Sequence, residues 1–122
     1  MNWKRIHCMN PLDFVQLQVT SPCVSRLNEF TIFQVEVTNV ATFPFELYLY
    51  QNSVANGYHV VFENSRDGVA IHSLNPGQHI VQRAALSLLC PLNTVSFFYQ
   101  MGNNEGATNF FEYKINVTLS PF

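Results

Sequence analysis

The stretch Thr31-Ile32-Phe33-Gln34-Val35-Glu36-Val37-Thr38 decides the fold. Its apolar and polar side chains alternate with a period of two, and the apolar set is Phe33, Val35 and Val37. Alternation of this kind is typical of a β-strand that buries one face and leaves the other in water. The stretch therefore predicts a strand at the surface of a packed sheet.

The same alternation recurs along the chain, most clearly in Phe45–Tyr50 and from Phe111 to Leu119, which we expect to be the longest strand. Turn signals separate these segments, among them Asn56-Gly57, Asp67-Gly68 and Asn75-Pro76-Gly77-Gln78. Seven or eight strands fit between turns about ten residues apart, and no window keeps a helical period. This spacing predicts an all-β protein.

The expected architecture is a two-sheet antiparallel immunoglobulin-like sandwich. We expect residues 1–122 to form a single domain that belongs to a larger protein. Because a type II turn splays a tight hairpin, Asn75–Gln78 should join two sheets. The residues predicted to point inward are Phe33, Val35, Val37, Leu47, Leu49, Tyr113, Ile115 and Val117.

Composition narrows the functional classes. Hydrophobic residues make up 48% of the chain and charged residues 11%, which excludes a disordered tail and suggests surface covered by neighbours. The six Lys and Arg residues are dispersed, which argues against nucleic-acid binding and a polybasic membrane patch. No apolar run approaches the roughly 20 residues that span a bilayer, so direct membrane insertion is not expected.

The three cysteines, Cys8, Cys23 and Cys90, have an odd count and irregular spacing. Free buried thiols in a reducing compartment are the simpler interpretation, and a bond between Cys8 and Cys23 remains an alternative for an oxidising one. The sequon Asn116-Val117-Thr118 would be a glycosylation site in the second setting.

Motifs for catalysis and cofactors are missing from the sequence, so we predict no enzyme, no catalytic residue, no metal and no cofactor. Three weak candidates are interpreted as structural. They are His72 and His79 as a partial metal site with Cys90, Glu36 and Glu46 as paired acids, and the loop cluster Asn103, Asn104 and Glu105 as a calcium site.

The outward face of Phe45–Tyr50 is the predicted binding surface. It carries Glu46, Tyr48 and Tyr50, and exposed tyrosines are common anchors of protein interfaces. Cross-strand aromatic pairing that stabilises the sheet is the alternative explanation. Phe98 and Phe110 also fall on the less regular faces of their strands.

Three segments carry a family resemblance: Glu29 to Asn39 with its Val-Glu-Val-Thr-Asn end, Phe43-Pro44-Phe45-Glu46-Leu47, and Ser73-Leu74-Asn75-Pro76-Gly77-Gln78. With Trp3 near the start, they resemble the immunoglobulin-like domains in the C-terminal half of large TRAPP vesicle-tethering subunits, and more loosely adaptin ears. The resemblance implies a cytoplasmic, Golgi-associated scaffold that binds proteins or neighbouring domains and carries no catalytic residue.

Two further classes remain open. The chain could instead be a secreted or cell-surface module for adhesion or carbohydrate binding, or a structural domain of a virus or phage.

Overall fold

The computed structural model describes residues 10–52 and 54–120. Eight strands of five or more residues carry the fold, and three two-residue strands accompany them. The longer strands are β1 (Val15–Val19), β3 (Phe30–Asn39), β4 (Phe45–Tyr50), β5 (Tyr58–Phe62), β6 (Val69–Leu74), β7 (His79–Leu88), β8 (Thr94–Asn103) and β10 (Phe111–Asn116). The short ones are β2 (Cys23–Val24), β9 (Gly106–Ala107) and β11 (Thr118–Leu119). The described residues also include 3-10 turns at Pro11–Asp13 and Val54–Asn56.

Two antiparallel sheets face each other. Sheet one has the strand order β1-β3-β7-β5, and sheet two has the order β10-β8-β4-β6, with β9 paired to β8. The predicted class, an immunoglobulin-like sandwich, is confirmed by this architecture. The part of the chain that the structure describes holds no helix long and apolar enough to cross a membrane.

The core lies between the sheets and is built by the predicted alternation. In β3 the buried apolar residues are Phe33, Val35 and Val37, and in β4 they are Phe45, Leu47 and Leu49. Ile115 and Val117 are also buried, whereas Tyr113 is half-buried at the rim, where its hydroxyl donates to the Leu17 carbonyl at 3.5 Å. Every predicted inward residue therefore faces the core, and Tyr113 does so incompletely.

The turn Asn75–Gln78 joins β6 in sheet two to β7 in sheet one, as predicted from its type. Gly77 has φ of 80°, a conformation that glycine adopts without steric cost. The segment between β3 and β4 makes the other crossing at this end of the sandwich. Both crossings contact one buried residue, Asn39.

The prediction of one long strand from Phe111 to Leu119 is wrong. β10 ends at Asn116, and the chain then leaves sheet two. The Val117 N–H donates to the Asn93 carbonyl at 2.9 Å, after which β11 pairs in parallel with β2. The side-chain alternation survives this change of partner, so the sequence pattern carries no mark of it.

Candidate functional site

The outer face of sheet two holds the predicted binding residues. Glu46, Tyr48 and Tyr50 all point outward from β4, each half-buried. Because β4 is central in the sheet, each has a neighbour on both sides: Tyr48 lies opposite Gln100 and Ile71, and Tyr50 lies opposite Phe98 and Val69.

Three aromatic residues on this face form a cluster, which we call the aromatic patch: Tyr50, Phe98 and Phe110. Tyr50 and Phe110 meet edge to face with ring centroids 5.0 Å apart. The three rings line a shallow apolar depression, and Phe98 and Phe110 remain 42% and 58% exposed. An apolar, concave and exposed aromatic group is the usual centre of a protein interface.

Tyr48 has a different role from Tyr50. Its ring lies against Gly102 of β8, so closely that a Cβ at that position would stand 2.6 Å from Tyr48 Cε2. The tyrosine thus covers a glycine that has no side chain of its own to pack in the sheet. Packing within the domain accounts for much of the buried part of Tyr48.

A polar network holds Tyr50 in place. Its hydroxyl donates to Gln100 Oε1, and Gln100 Nε2 donates to the Thr108 carbonyl at 2.8 Å. Thr108 is buried, and its hydroxyl donates to the Met101 carbonyl at 3.2 Å. Because each partner is fixed in turn, the ring of Tyr50 is preorganised at the surface.

The tyrosines on this face are uncharged, whereas carboxylates lie near them on the same face. Burial raises the pKa of Tyr50, and burial followed by the Glu46 carboxylate raises the pKa of Tyr48, so both phenols are neutral at physiological pH. Glu46 makes no ion pair with any described residue. Glu112, opposite Phe98 on β10, accepts from Ser96 Oγ at 2.9 Å. The aromatic patch is therefore apolar, with the Glu112 carboxylate beside Phe98 and the Glu46 carboxylate farther along the same face of β4.

The three weak candidates from the sequence do not assemble into sites. His72 and His79 lie in different sheets, where His72 contacts Gln82 and His79 contacts Glu36. Glu36 and Glu46 likewise point outward from different sheets. Asn103 Oδ1 accepts from the Glu105 N–H at 2.7 Å, which closes the loop tip. Among residues 10–52 and 54–120, no cluster of three potential metal ligands occurs.

The cysteines differ from expectation. Cys23 and Cys90 are free but exposed, so the prediction of buried thiols is wrong for both. Each lies in a short strand or a turn, outside the alternating segments that build the core. Cys8 and Trp3 lie outside the described residues. The Asn116 side chain of the sequon is exposed at the end of β10.

The binding surface predicted from the sequence comprises Glu46, Tyr48 and Tyr50 and does not include Phe98 and Phe110, although the sequence already marks both. Phe98 and Phe110 are separated from Tyr50 by dozens of residues, and the β4–β8 register brings Phe98 directly opposite Tyr50. The interruption of alternation at Phe97-Phe98 and Phe110-Phe111 was the available signal.

Comparison with known proteins gives structural likeness only. No protein-family model and no curated protein matches the chain. A FixG-related protein from Vibrio parahaemolyticus superposes with a TM-score of 0.48 at 11% identity, over 89% of this chain and 98% of that one. A Nocardia farcinica protein described as immunoglobulin-like gives 0.47 at 9% identity, over 85% and 97%. The ASH/PapD-like domain 7 of human CEP192 gives 0.47 at 8% identity, over 93% and 92%. None of these points to TRAPP subunits or adaptin ears.

Proposed function

We propose that this domain is a non-enzymatic protein-interaction module that binds its partner through the outer face of sheet two. The aromatic patch of Tyr50, Phe98 and Phe110 carries the proposal, because it is apolar, exposed and preorganised. Removing these rings from water supplies the main driving force for association.

The border of the patch defines the chemistry of the partner. Glu112 lies opposite Phe98, and Glu46 lies farther along the same face of β4, where it makes no ion pair with a described residue. A partner with an apolar centre and a basic rim would complement both parts of the face. The partner can be a separate protein or a neighbouring domain of the same polypeptide.

The biological setting that we propose is a scaffold of an intracellular vesicle-tethering complex, cytoplasmic and Golgi-associated. The resemblance to TRAPP domains supports this setting. The segments that carry the resemblance form strands and turns of the sandwich and lie outside the aromatic patch.

Affinity capture from cytosol with a matched pair of variants tests both parts of the proposal. The patch variant is Phe98→Ser with Phe110→Ser. The control is Phe30→Ser with Ile32→Ser, which removes two apolar side chains from sheet one that are, on average, at least as exposed as those of the patch. We expect the parent domain and the control to retain vesicle-tethering subunits, quantified by mass spectrometry, and the patch variant to lose them.

The proposed interface and the proposed trafficking setting can be refuted separately. Captured partners that are unrelated to tethering would refute the trafficking setting and keep the interface. Equal capture by the patch variant and the parent would refute the interface.

A second candidate is a secreted or cell-surface adhesion or carbohydrate-binding module, and the exposed Asn116 sequon favours it. Expression in a secretory pathway decides between the settings. A glycan on Asn116, or a bond between Cys8 and Cys23 by peptide mapping of the native protein, would favour this candidate; three free thiols would favour the intracellular one.

A further inference from the structure

The strand β6 forms one edge of sheet two, and the described part of the chain pairs with the outer side of β6 only at its first residue. On the outer edge of β6, Arg66 and Val69 exchange two main-chain hydrogen bonds of 2.9 and 3.0 Å. The pairing would continue toward Ile71, but Asn64, with φ of 62°, turns the chain away. The remainder of the β6 edge therefore has no neighbouring strand among the described residues.

Main-chain groups point alternately to the two sides of a strand, and this alternation shows which N–H and C=O groups of β6 remain unpaired. Val69 directs its N–H and C=O away from β4, toward Arg66, whereas the Gly68 carbonyl accepts from the Gln51 N–H on the β4 side. With a period of two, Ile71 and Ser73 must direct theirs away from β4 as well. Within the described residues no hydrogen bond reaches these four main-chain groups, and the two residues are exposed.

Each of the other three edges carries a feature that hinders the addition of a strand. The Asn52 side chain bonds the Tyr58 carbonyl at 2.9 Å and the Val60 N–H at 2.6 Å along the edge of β5. The Leu17 carbonyl on β1 receives the Tyr113 hydroxyl.

Charges protect β10, which carries Glu112 and Lys114, and charges on an edge strand oppose pairing with another chain. By contrast, Val69-Ala70-Ile71-His72-Ser73-Leu74 contains no Lys, Arg, Asp, Glu or Pro. Within the described residues, this edge is open to another strand from Ile71 to Ser73.

A cleft beside this edge can receive a side chain. It has a volume of about 330 Å³ and lies between Ala70–His72 on β6, Val81–Arg83 on β7 and the turn residues Glu63 and Asn64. His72 Nε2 and Gln82 Oε1 are 2.6 Å apart and bridge the two sheets. Gln82 Nε2 donates to the Glu63 and Arg83 carbonyls, which fixes the amide orientation, so His72 Nε2 must be the donor in this bridge.

We propose that the β6 edge binds an extended segment of a partner polypeptide by strand addition. The segment runs antiparallel to β6, in line with Arg66, and forms four main-chain hydrogen bonds with Ile71 and Ser73. Because side chains alternate along a strand, its residue opposite His72 points into the cleft. The cleft is lined by Ala70, Ile71 and Val81 and by the polar residues Glu63, Asn64, His72, Gln82 and Arg83, so this residue is one with an apolar stem and a polar end.

A peptide fits this edge better than a second copy of the domain. Arg66 covers the edge at Val69, and the crossing turn at Pro76 follows Leu74, so the open length is three to four residues. A stable interface between folded domains usually buries about 1,200 Å² or more, which a pairing of this length does not supply. A peptide gains both the main-chain bonds and the cleft with little surface.

The probe for the test is a library of synthetic ten-residue peptides with threonine at alternate positions and random residues between. Selected peptides should bind the domain at a ratio of one to one and protect the Ile71 and Ser73 amides from hydrogen exchange. Ile71→Pro removes one outward N–H without breaking a bond to β4, and should weaken binding about tenfold or more. Ile71→Val keeps the N–H and should bind as the parent does.

Methylation of the peptide backbone gives a test that leaves the protein unchanged. N-methyl groups at the peptide positions opposite Ile71 and Ser73 should abolish binding, and methylation at the intervening positions should preserve it. The patch variant Phe98→Ser with Phe110→Ser should bind the peptide normally, so this proposal and the proposed function fail independently.

Three results would overturn the proposal. The first is a library without binders that are sensitive to Ile71→Pro, and the second is amide protection elsewhere than on β6. The third is self-association in sedimentation that Ile71→Pro abolishes, which would assign the edge to a second copy of the domain.

Discussion

Tyr48 and Gly102 show how a surface residue can belong to the fold. The Tyr48 ring takes the space of a side chain at Gly102, and a Cβ there would also lie 3.2 Å from the Gly106 carbonyl oxygen. We predict that Gly102→Ala lowers the free energy of unfolding by about 1–3 kcal/mol, as overpacking does. Urea unfolding followed by circular dichroism measures the change.

A double-mutant cycle isolates the cause of this effect. In a Tyr48→Ala background the added methyl group no longer meets the ring, so Gly102→Ala should cost clearly less. Equal costs in the two backgrounds would show that the Gly106 carbonyl, and not Tyr48, limits the space.

Because of Tyr99, the free energy of unfolding depends on pH in the alkaline range. Burial, with the nearby Tyr113 as a second cause, raises the pKa of Tyr99 from 10.0 to about 12. Between these values the unfolded chain loses the proton and the folded chain keeps it, so the unfolded state binds fewer protons. The free energy of unfolding should therefore fall as pH rises from about 10 toward about 12.

The control for this pH dependence is Tyr99→Phe, which keeps the ring and removes the ionisable group. The fall between pH 10 and pH 12 should become shallower, with the remainder due to Tyr48 and Tyr50, whose pKa values are also raised. An unchanged slope in chemical unfolding at these pH values would contradict the assignment to Tyr99.

At the scale of elements, Asn39 connects the two crossings between the sheets. It is fully buried, and its Nδ2 donates to the Phe43 carbonyl at 3.1 Å and to the Leu74 carbonyl at 3.0 Å. Its Oδ1 accepts from the Ala41 N–H at 2.8 Å, and its main-chain carbonyl accepts from Gly77. One side chain thus fixes the end of β3, the start of β4 and the end of β6.

We predict that Asn39→Ala lowers the free energy of unfolding by about 2–4 kcal/mol, because buried main-chain groups lose their partners. Asn39→Asp has nearly the same shape but, when ionised, cannot donate to two carbonyls, so it should also destabilise. Thermal and urea unfolding measure both variants. Gln34, exposed on the outer face of the same strand, provides the control, and Gln34→Ala should change stability by less than about 0.5 kcal/mol.

The contacts of Asn39 also explain why the sequence motifs indicate the fold. The Val-Thr-Asn strand end and the Leu-Asn-Pro-Gly turn, which carried the family resemblance, meet in its hydrogen-bond cluster. In this chain these residues hold the crossings between the sheets, and they therefore indicate a fold more than a function. The exposed aromatic patch is independent of them.

Local patterns predicted the strands that alternate, such as β3 and β4, because burial of one face dictates their sequence. They could not predict the change of partner after Asn116, because β11 keeps the same alternation while it pairs with β2. Nor could they predict that Phe98 and Phe110 join Tyr50, because this depends on the register between β4, β8 and β10.

At the scale of the whole molecule, the two sides of the sandwich differ in whether an edge strand is free to pair with another strand. On one side, the Tyr113 hydroxyl of β10 bonds to the Leu17 carbonyl of β1. The segments that follow β1 and β10 in the sequence form the β2–β11 pair. On the other side β5 ends at Phe62, and the His72–Gln82 bridge joins the sheets there. The proposed strand addition uses the open side, and the aromatic patch occupies an outer face, so one domain could bind two partners.

The pairing of distant segments also sets the folding rate. β3 pairs with β7, so that Phe30 lies opposite Ser87, and few of the contacts that define the sandwich are local. Domains of this kind fold in milliseconds to seconds, because loop-closure entropy is lost before the pairings form. Asn39 joins both crossings and can be satisfied only when the two sheets have met.

We therefore predict that the Asn39 contacts form after the transition state for folding. Asn39→Ala should raise the unfolding rate on the order of 10²-fold and leave the folding rate nearly unchanged. Stopped-flow circular dichroism over a range of urea concentrations separates the two rates. A variant that folds proportionally more slowly, with an unchanged unfolding rate, would place the crossings in the folding nucleus and contradict this order of events.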